Sequence, residues 1–405
     1  MRRAMQTVGW GLYLASSWTW CIGMFLPILL LRWWGWPGFF AFAVPNVLGC
    51  ALFGYVLSPE TSRRASERFA TPMRWFAWAT IAYQAWFIQW ATAGVGGAAG
   101  LAPIVAVVPL AFLFMPGGAR FWPIAGSLAF VASMGLFAWN GAGSLQVAPP
   151  VPTLAPASLG WAAPFMALGF LLCPYLDPTF HRALQQSPSR HCFAVFGVTF
   201  ALALVFAAST FDSRVGSVNA TTAVWVQWLL QAGFTMCAMV SVTGPLSRLA
   251  WSAAPTGAPI GELLARPPIA RLGWVLGMPA MAVVLGPMLL QAITILTKAM
   301  PALQPARSLL PGGEATPWTV GEATYLRWLG LYGVLFPALV MFGVRRVPAR
   351  VGAPAIGLAA ILADRGLIGA HMPLLAASAA VILLASLTTS RQMPETAEIA
   401  PADPR

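Results

Sequence analysis

The residues best suited to chemistry cluster in the stretch 169–183, Gly-Phe-Leu-Leu-Cys-Pro-Tyr-Leu-Asp-Pro-Thr-Phe-His-Arg-Ala. It starts as an apolar run, is interrupted by Pro174 and Pro178, and places Asp177 between the two prolines, followed by His181 and Arg182. Of the eleven acidic residues, Asp177 is the one that the pattern sets within or at the lip of a hydrophobic span. A charge there is expensive and marks a functional-site candidate. Two readings stand side by side. Asp177 gates or relays by pairing with Arg182 or His181, or it caps the next helical turn, because Asp before Pro is a common helix start. His181 titrates near neutral pH and is a candidate proton sensor, with a passive interfacial His as the plainer reading. A second polar group, Ser16, Ser17 and Thr19, sits beside a Gly/Pro-interrupted segment, Trp18-Thr-Trp-Cys-Ile-Gly-Met-Phe-Leu-Pro27. Carbonyls freed by a break there can bind a cation, and a half-helix N-terminus can bind a carboxylate. Alternatively, the hydroxyls bond back to the preceding turn. Trp18 and Trp20 lie deep enough to stack on a solute, although most of the nineteen Trp read as interfacial anchors.

The elements that must position these groups follow from composition. The chain has 405 residues, 59% hydrophobic and 8% charged. Soluble domains carry roughly 25% charged residues, so the chain reads as an all-α polytopic membrane protein. The net charge of +12 does not imply nucleic-acid binding, because the basic residues are scattered through short loops and form no stripe. The five Cys show no C-x-x-C, and no His pair has ligand spacing, so neither a disulfide framework nor a zinc site is indicated. No His/Asp/Glu cluster falls within the spans, so an enzyme is not expected. The N-terminal Met-Arg-Arg and its long Trp-rich run read as a first span rather than a cleaved signal.

About 12 transmembrane helices (11–12) are expected. Spans 1–5 cover 8–31, 35–57, 75–95, 101–116 and 121–139, with a polar loop at 58–68. Spans 6–10 cover 159–176, 192–211, 223–243, 272–296 and 325–344. The region 353–387 reads as two additional short spans within a C-terminal unit 345–387, and 388–405 as a disordered cytoplasmic tail. With the N-terminus inside, seventeen of the 23 basic residues fall on the cytoplasmic side, which supports that orientation in a bacterial inner membrane. The uncharged outer linker 141–158 divides a first repeat, 1–140, from a second, 159–344. Five spans per half make any repeat inverted, and both first spans are interrupted at equivalent places. That pairing points to a midplane binding site in a secondary transporter.

Ser17-Trp-Thr-Trp-Cys-Ile-Gly, then Gly35-Trp-Pro-Gly-Phe-Phe-Ala-Phe-Ala-Val-Pro-Asn-Val, resembles the first two core helices of the sodium/solute symporter family. Cys173-Pro-Tyr-Leu-Asp-Pro-Thr-Phe-His-Arg-Ala-Leu is similar to its sixth. The resemblance implies a divergent member of the amino acid-polyamine-cation superfamily, with the leucine-transporter fold: a five-plus-five inverted repeat with broken helices 1 and 6. It implies substrate contacts from Trp18, Trp20, Gln84, Cys173 and Tyr175, cation ligands from Ser17, Cys21, Ser241 and Thr243, and gating or relay roles for Asp177, His181 and Arg182. Pro178 and His181 stand where the family has Gln, and Val242 stands where a second hydroxyl belongs on core helix 8. The implied function is cation-coupled symport of a small solute, with Na+ or H+ as coupling ion and no other cofactor. The alternative is a non-transporting relative acting as a membrane sensor or complex subunit. The implied partners are the bilayer and the solute, with no nucleic acid.

This topology predicts that green fluorescent protein fused after Arg405 fluoresces in the cytoplasm. It also predicts that alkaline phosphatase inserted in the linker 141–158 is active outside. Active phosphatase after Arg405 instead reduces 353–387 to one span.

Overall fold

In this computed structural model the described residues are 2–19, 21–96, 120–141, 152–210, 222–243 and 320–388. They are nearly all helical, with no strand among them. The expected spans 101–116 and 272–296 and the tail from 389 lie outside the described residues. Fourteen α-helices carry the described fold. The first seven are α1 (Arg2–Trp18), α2 (Cys21–Trp34), α3 (Trp36–Val56), α4 (Pro59–Arg68), α5 (Ala70–Gly96), α6 (Phe121–Gly141) and α7 (Leu159–Leu172). They are followed by α8 (Pro178–Gln186), α9 (Cys192–Thr210), α10 (Thr222–Thr243), α11 (Val320–Gly330), α12 (Phe336–Arg345), α13 (Ala349–Ile368) and α14 (Pro373–Leu387). Among these residues, six stretches are long and apolar enough to cross a membrane, or seven if the bent pair α1–α2 counts as one. The architecture is that of an all-α membrane protein. The helices α5 and α10, expected as spans, run for 27 and 22 residues but are not among the six. Their Trp and Gln residues dilute their hydropathy.

The membrane-spanning faces show the pattern of a protein packed in lipid rather than water. Large apolar side chains such as Leu128, Val198 and Leu202 are exposed, while Gln84, Asp177, Thr179 and His181 are fully buried. Helix α1 lies against α6 and α9, α3 against α7 and α9, and α10 against α5 and α6. Without a hydrophobic force between helices in lipid, small residues let backbones approach. Gly126 of α6 is the clearest case: a Cβ there would stand 2.5 Å from Tyr13 Cα of α1. Across the same contact Ser16 Oγ donates to Gly126 O at 2.9 Å.

The stretch 58–68, expected as a polar loop, is helix α4. Ser58 caps it by accepting from Thr61 N, and Pro59 occupies the first turn. Glu60 pairs with Arg63 and Arg64. The Arg63 hydrogen bond holds the Glu60 carboxyl below its ordinary range. High polarity suggested a loop, but Ser-Pro-Glu followed by Arg three and four residues later is a helix start with intrahelical ion pairs. The two short spans expected in 353–387 correspond to α13 and α14, separated at Gly369–Met372. Ala370 there adopts a left-handed φ of 54°. Two further acids also turn out to be helix-borne. Glu322, expected in a loop, is buried in α11 and paired with Arg32, and Asp364 pairs with Arg327.

Gly126→Ala is expected to destabilise the detergent-solubilised protein by about 1–3 kcal/mol through overpacking. Gly135→Ala, on the same helix with nothing within 4 Å of the added Cβ, is the control and is expected to be neutral or better. Thermal unfolding followed by Trp fluorescence compares them; equal losses in both would refute the close-approach argument.

Candidate functional site

Two chain interruptions define the site. The first separates α1 from α2, whose axes are bent by 81°. The second follows α7. Pro174 has no N–H for the preceding turn, and the chain tightens into a 3₁₀ turn over Cys173–Leu176. Asp177 precedes Pro178 and is therefore pushed out of the helical region, to φ −80°, ψ 111°. Helix α8 then restarts with Pro178 in its first turn.

Breaking a helix inside a bundle frees backbone groups that must find partners. At the first break, Cys21 N–H donates to Gln84 Oε1 of α5 at 3.2 Å, and Cys21 O accepts from Tyr325 Oη of α11 at 3.2 Å. On the other side Ser16 O accepts from Thr235 Oγ1 of α10 at 3.2 Å. The hydroxyls of Ser17 and Thr19 donate back to Leu14 O and Ala15 O, which is the back-bonding alternative expected for them. Trp18 Nε1 donates to Asn46 Oδ1 of α3 at 2.8 Å. At the second break, Cys173 Sγ lies 3.3 Å from Tyr332 O. That carbonyl belongs to a π-helical turn, Leu331–Leu335, between α11 and α12.

Asp177 is the N-cap of α8. Its Oδ1 accepts from Thr179 N at 2.7 Å and from Thr179 Oγ1 at 2.6 Å, while its Oδ2 is buried without a hydrogen-bond partner. Thr179 Oγ1 also lies 3.1 Å from Ser17 Oγ, which joins the two breaks directly. Of the two readings for Asp177, the cap is the arrangement present; neither Arg182 nor His181 pairs with it. His181 is fully buried rather than interfacial. Its Nε2 lies 3.1 Å from Tyr175 O, and its Nδ1 lies 2.8 Å from Ser62 Oγ of α4. A ring nitrogen facing a carbonyl must carry the proton, so the network assigns Nδ1 as acceptor from the Ser62 hydroxyl in a neutral ring.

Arg182 counts as a cytoplasmic charge in the sequence, but it is only 6% exposed. Its Nη1 donates to Ser241 Oγ at 2.6 Å and its Nη2 to Ser241 O at 3.0 Å, both on α10. The guanidinium carbon stands 4.8 Å from the centroid of Trp122 on α6, a cation–π arrangement. Ser241, a sequence-level cation ligand, therefore already faces a fixed cation. The residues expected together are partly brought together. Ser17 meets the second break, Cys21 meets Gln84, and Ser241 meets Arg182. Tyr175 is half-buried and presents its carbonyl to His181. Trp20 and the side chain of Thr243 lie outside the described residues.

Both breaks line one small cavity. Trp18, Ile22 and Gly23 come from the first, Phe170 and Cys173 from the second, with Asn46 and Tyr332 completing the wall. It is close to the minimum that holds a single water, and none of its lining residues is charged. Gly23 also borders a second small cavity with Thr19, Gln227 and Trp228. Gln227, which lines the second cavity, has its Oε1 buried without a hydrogen-bond partner, and Gln84 Nε2 and Gln231 Oε1 are likewise buried and unpaired. Compared with protein-family models, with curated proteins and with solved structures, the chain matches none. Among the described residues no group of three or more His, Cys, Asp or Glu is arranged to hold a metal ion.

Sequence reasoning missed Tyr325, Tyr332 and Ser62. The two tyrosines are seven residues apart, which puts them on one helical face, and that spacing is the signal available for them. Ser62 was hidden by the loop reading of 58–68.

If Asp177 acts as a cap, Asp177→Asn keeps the acceptor and most of the stability, whereas Asp177→Ala costs about 0.5–2 kcal/mol. Denaturation of both variants in detergent checks this. Equal losses would mean that the charge, not the cap, is what the position needs.

Proposed function

We propose that this chain is a secondary active transporter of the leucine-transporter type, built as a five-plus-five inverted repeat within about 12 spans. In this reading it sits in the bacterial inner membrane with a cytoplasmic N-terminus. It moves a small solute together with a cation, Na+ or H+, by alternating access. The observation that carries the reading is the shared cavity: two interrupted helices, five spans apart in the proposed topology, meet at one space. Half-helices that end on a common cavity can rock about it while their freed backbone groups remain satisfied.

In this reading the solute contacts Trp18, Gln84, Cys173 and Tyr175, and Asp177 fixes the inner half-helix. The position of Arg182 bears on the coupling ion. Sodium at Ser241 would compete with a guanidinium already bonded to both of its oxygens. A proton, or sodium held by Ser17 and carbonyls at the first break, is more compatible with that geometry. The second reading, a non-transporting sensor or complex subunit of the same architecture, is favoured by the water-sized, ring-walled cavity.

Cys173 lines the cavity and is a free thiol, so it reports access. In a variant retaining only this cysteine, a membrane-impermeant methanethiosulfonate is applied to right-side-out and inside-out vesicles. Transport by alternating access predicts modification from both faces. Protection from both faces, in protein that remains folded, would leave the sensor or subunit reading standing.

A further inference from the structure

The largest cleft among those described lies away from the helix breaks, between the α11–α12 span and α13. It encloses about 590 Å³. Gly330, Leu331 and Val334 line one wall, and Ile356, Ala360 and Ile361 the other. The cleft exists because two helices that touch are locally stripped or displaced. A Cβ added at Gly330, which lines the cleft, would meet nothing within 4 Å, and the π-helical turn Leu331–Leu335 shifts the register of its wall. Such turns occur mostly as single insertions and frequently at functional sites. The cleft opens on an apolar, outward-facing surface, where Ile361 is 63% exposed.

One end of the cleft is charged. Arg327 Nε donates to Asp364 Oδ1 at 2.7 Å, which makes a pair with no net charge. Arg365 lies beside them, exposed, and its guanidinium has no partner among the described residues. Among the described residues the head of the cleft therefore carries one uncompensated positive charge, above walls lined by uncharged residues. A second protein helix is a poor occupant. At a diameter of about 10 Å and 1.5 Å rise, roughly five residues of helix would fill the space. A flexible chain fits the dimensions, and an anion fits the head.

We propose that this cleft is a binding site for a single anionic phospholipid, with an acyl chain between the α11–α12 span and α13 and the phosphate on Arg365. Basic pockets between membrane helices hold anionic headgroups in this way, and a guanidinium binds phosphate through a charge-assisted, bidentate contact. The site is independent of the transport reading and stands or falls separately from it.

The test uses the full-length protein in detergent, titrated with phosphatidylglycerol or phosphatidylcholine while thermal unfolding is followed by Trp fluorescence. The expected result is a saturable upward shift with phosphatidylglycerol and a much smaller one with phosphatidylcholine. Arg365→Gln is expected to weaken the apparent affinity for phosphatidylglycerol about fivefold, the loss of one basic contact near a membrane surface. Ala360→Phe, which fills the cleft, is expected to abolish the shift. Should that variant fail to fold, counting co-purified lipid by native mass spectrometry in wild type and Arg365→Gln decides. Equal shifts with the two lipids, an unchanged response in Arg365→Gln, or the same shift from inorganic phosphate would each overturn the proposal. So would a dimer that Ala360→Phe dissociates while the phosphatidylglycerol response persists.

Discussion

Backbone groups in a membrane interior have no water to turn to, and this requirement governs the centre of the molecule. A continuous helix satisfies it internally; a broken one does not. Among the described residues two spans are broken, and the groups freed at each find side-chain partners. Gln84 and Tyr325 take the two polar groups of Cys21, Thr235 takes Ser16 O, and Asp177 takes the first free N–H of α8. The partners at the first break come from α5, α11 and α10, so that break holds the bundle together as much as the bundle holds it. Removing any one partner leaves a buried donor or acceptor exposed to hydrocarbon, where its desolvation penalty is largest.

Satisfaction is incomplete at the same place. Gln84 Nε2, Gln227 Oε1, Gln231 Oε1 and Asp177 Oδ2 are buried with unused hydrogen-bonding capacity. In a packed protein such groups call for an explanation, and in the transport reading proposed above a site that fills and empties supplies one. In that reading, these idle donors and acceptors serve a polar solute or ordered water when the half-helices part. The absence of charge from the two cavities' linings adds a constraint, since a charged solute would enter without a counter-charge on those walls.

Much of this was legible because proline and helix-starting residues act locally. Pro174 and Pro178 mark the second interruption, and Asp-Pro marks the restart of α8, whatever the surroundings. The division of 353–387 into two helices was equally readable. The helix α4 was misread because polarity was weighed above the Ser-Pro-Glu start. What local rules do not carry is pairing over distance. Cys21 and Tyr325 are separated by 304 positions, and Arg182 and Ser241 by 59. Nothing near either residue announces the other. Arg182 illustrates the difficulty best: an Arg following a proline-interrupted span looks like a loop charge, and only the packing of α8 on α10 and α6 turns it inward.

That inward turn decides how α8 behaves as a body. His181 is held by Ser62 of α4, and Gln185 Nε2 donates to the same hydroxyl at 3.0 Å. Arg182 is held by Ser241 of α10 and lies over Trp122 of α6. A buried cation without a carboxylate partner is costly; among the described residues no carboxylate pairs with Arg182, and Asp177, five positions away, turns its Oδ1 to the cap at Thr179. The guanidinium instead spreads its charge over a hydroxyl, a carbonyl and an aromatic face, which ties the half-helix to two neighbours at once. Movement of α8 away from the centre must break those contacts or carry α4 and α10 with it. The second is cheaper, since it keeps the hydrogen bonds to Ser62 and Ser241 intact. Helix α8 is therefore tied to α4, α6 and α10 together, and in the proposed transport reading a rocking motion pivots at Cys173–Asp177 rather than within α8.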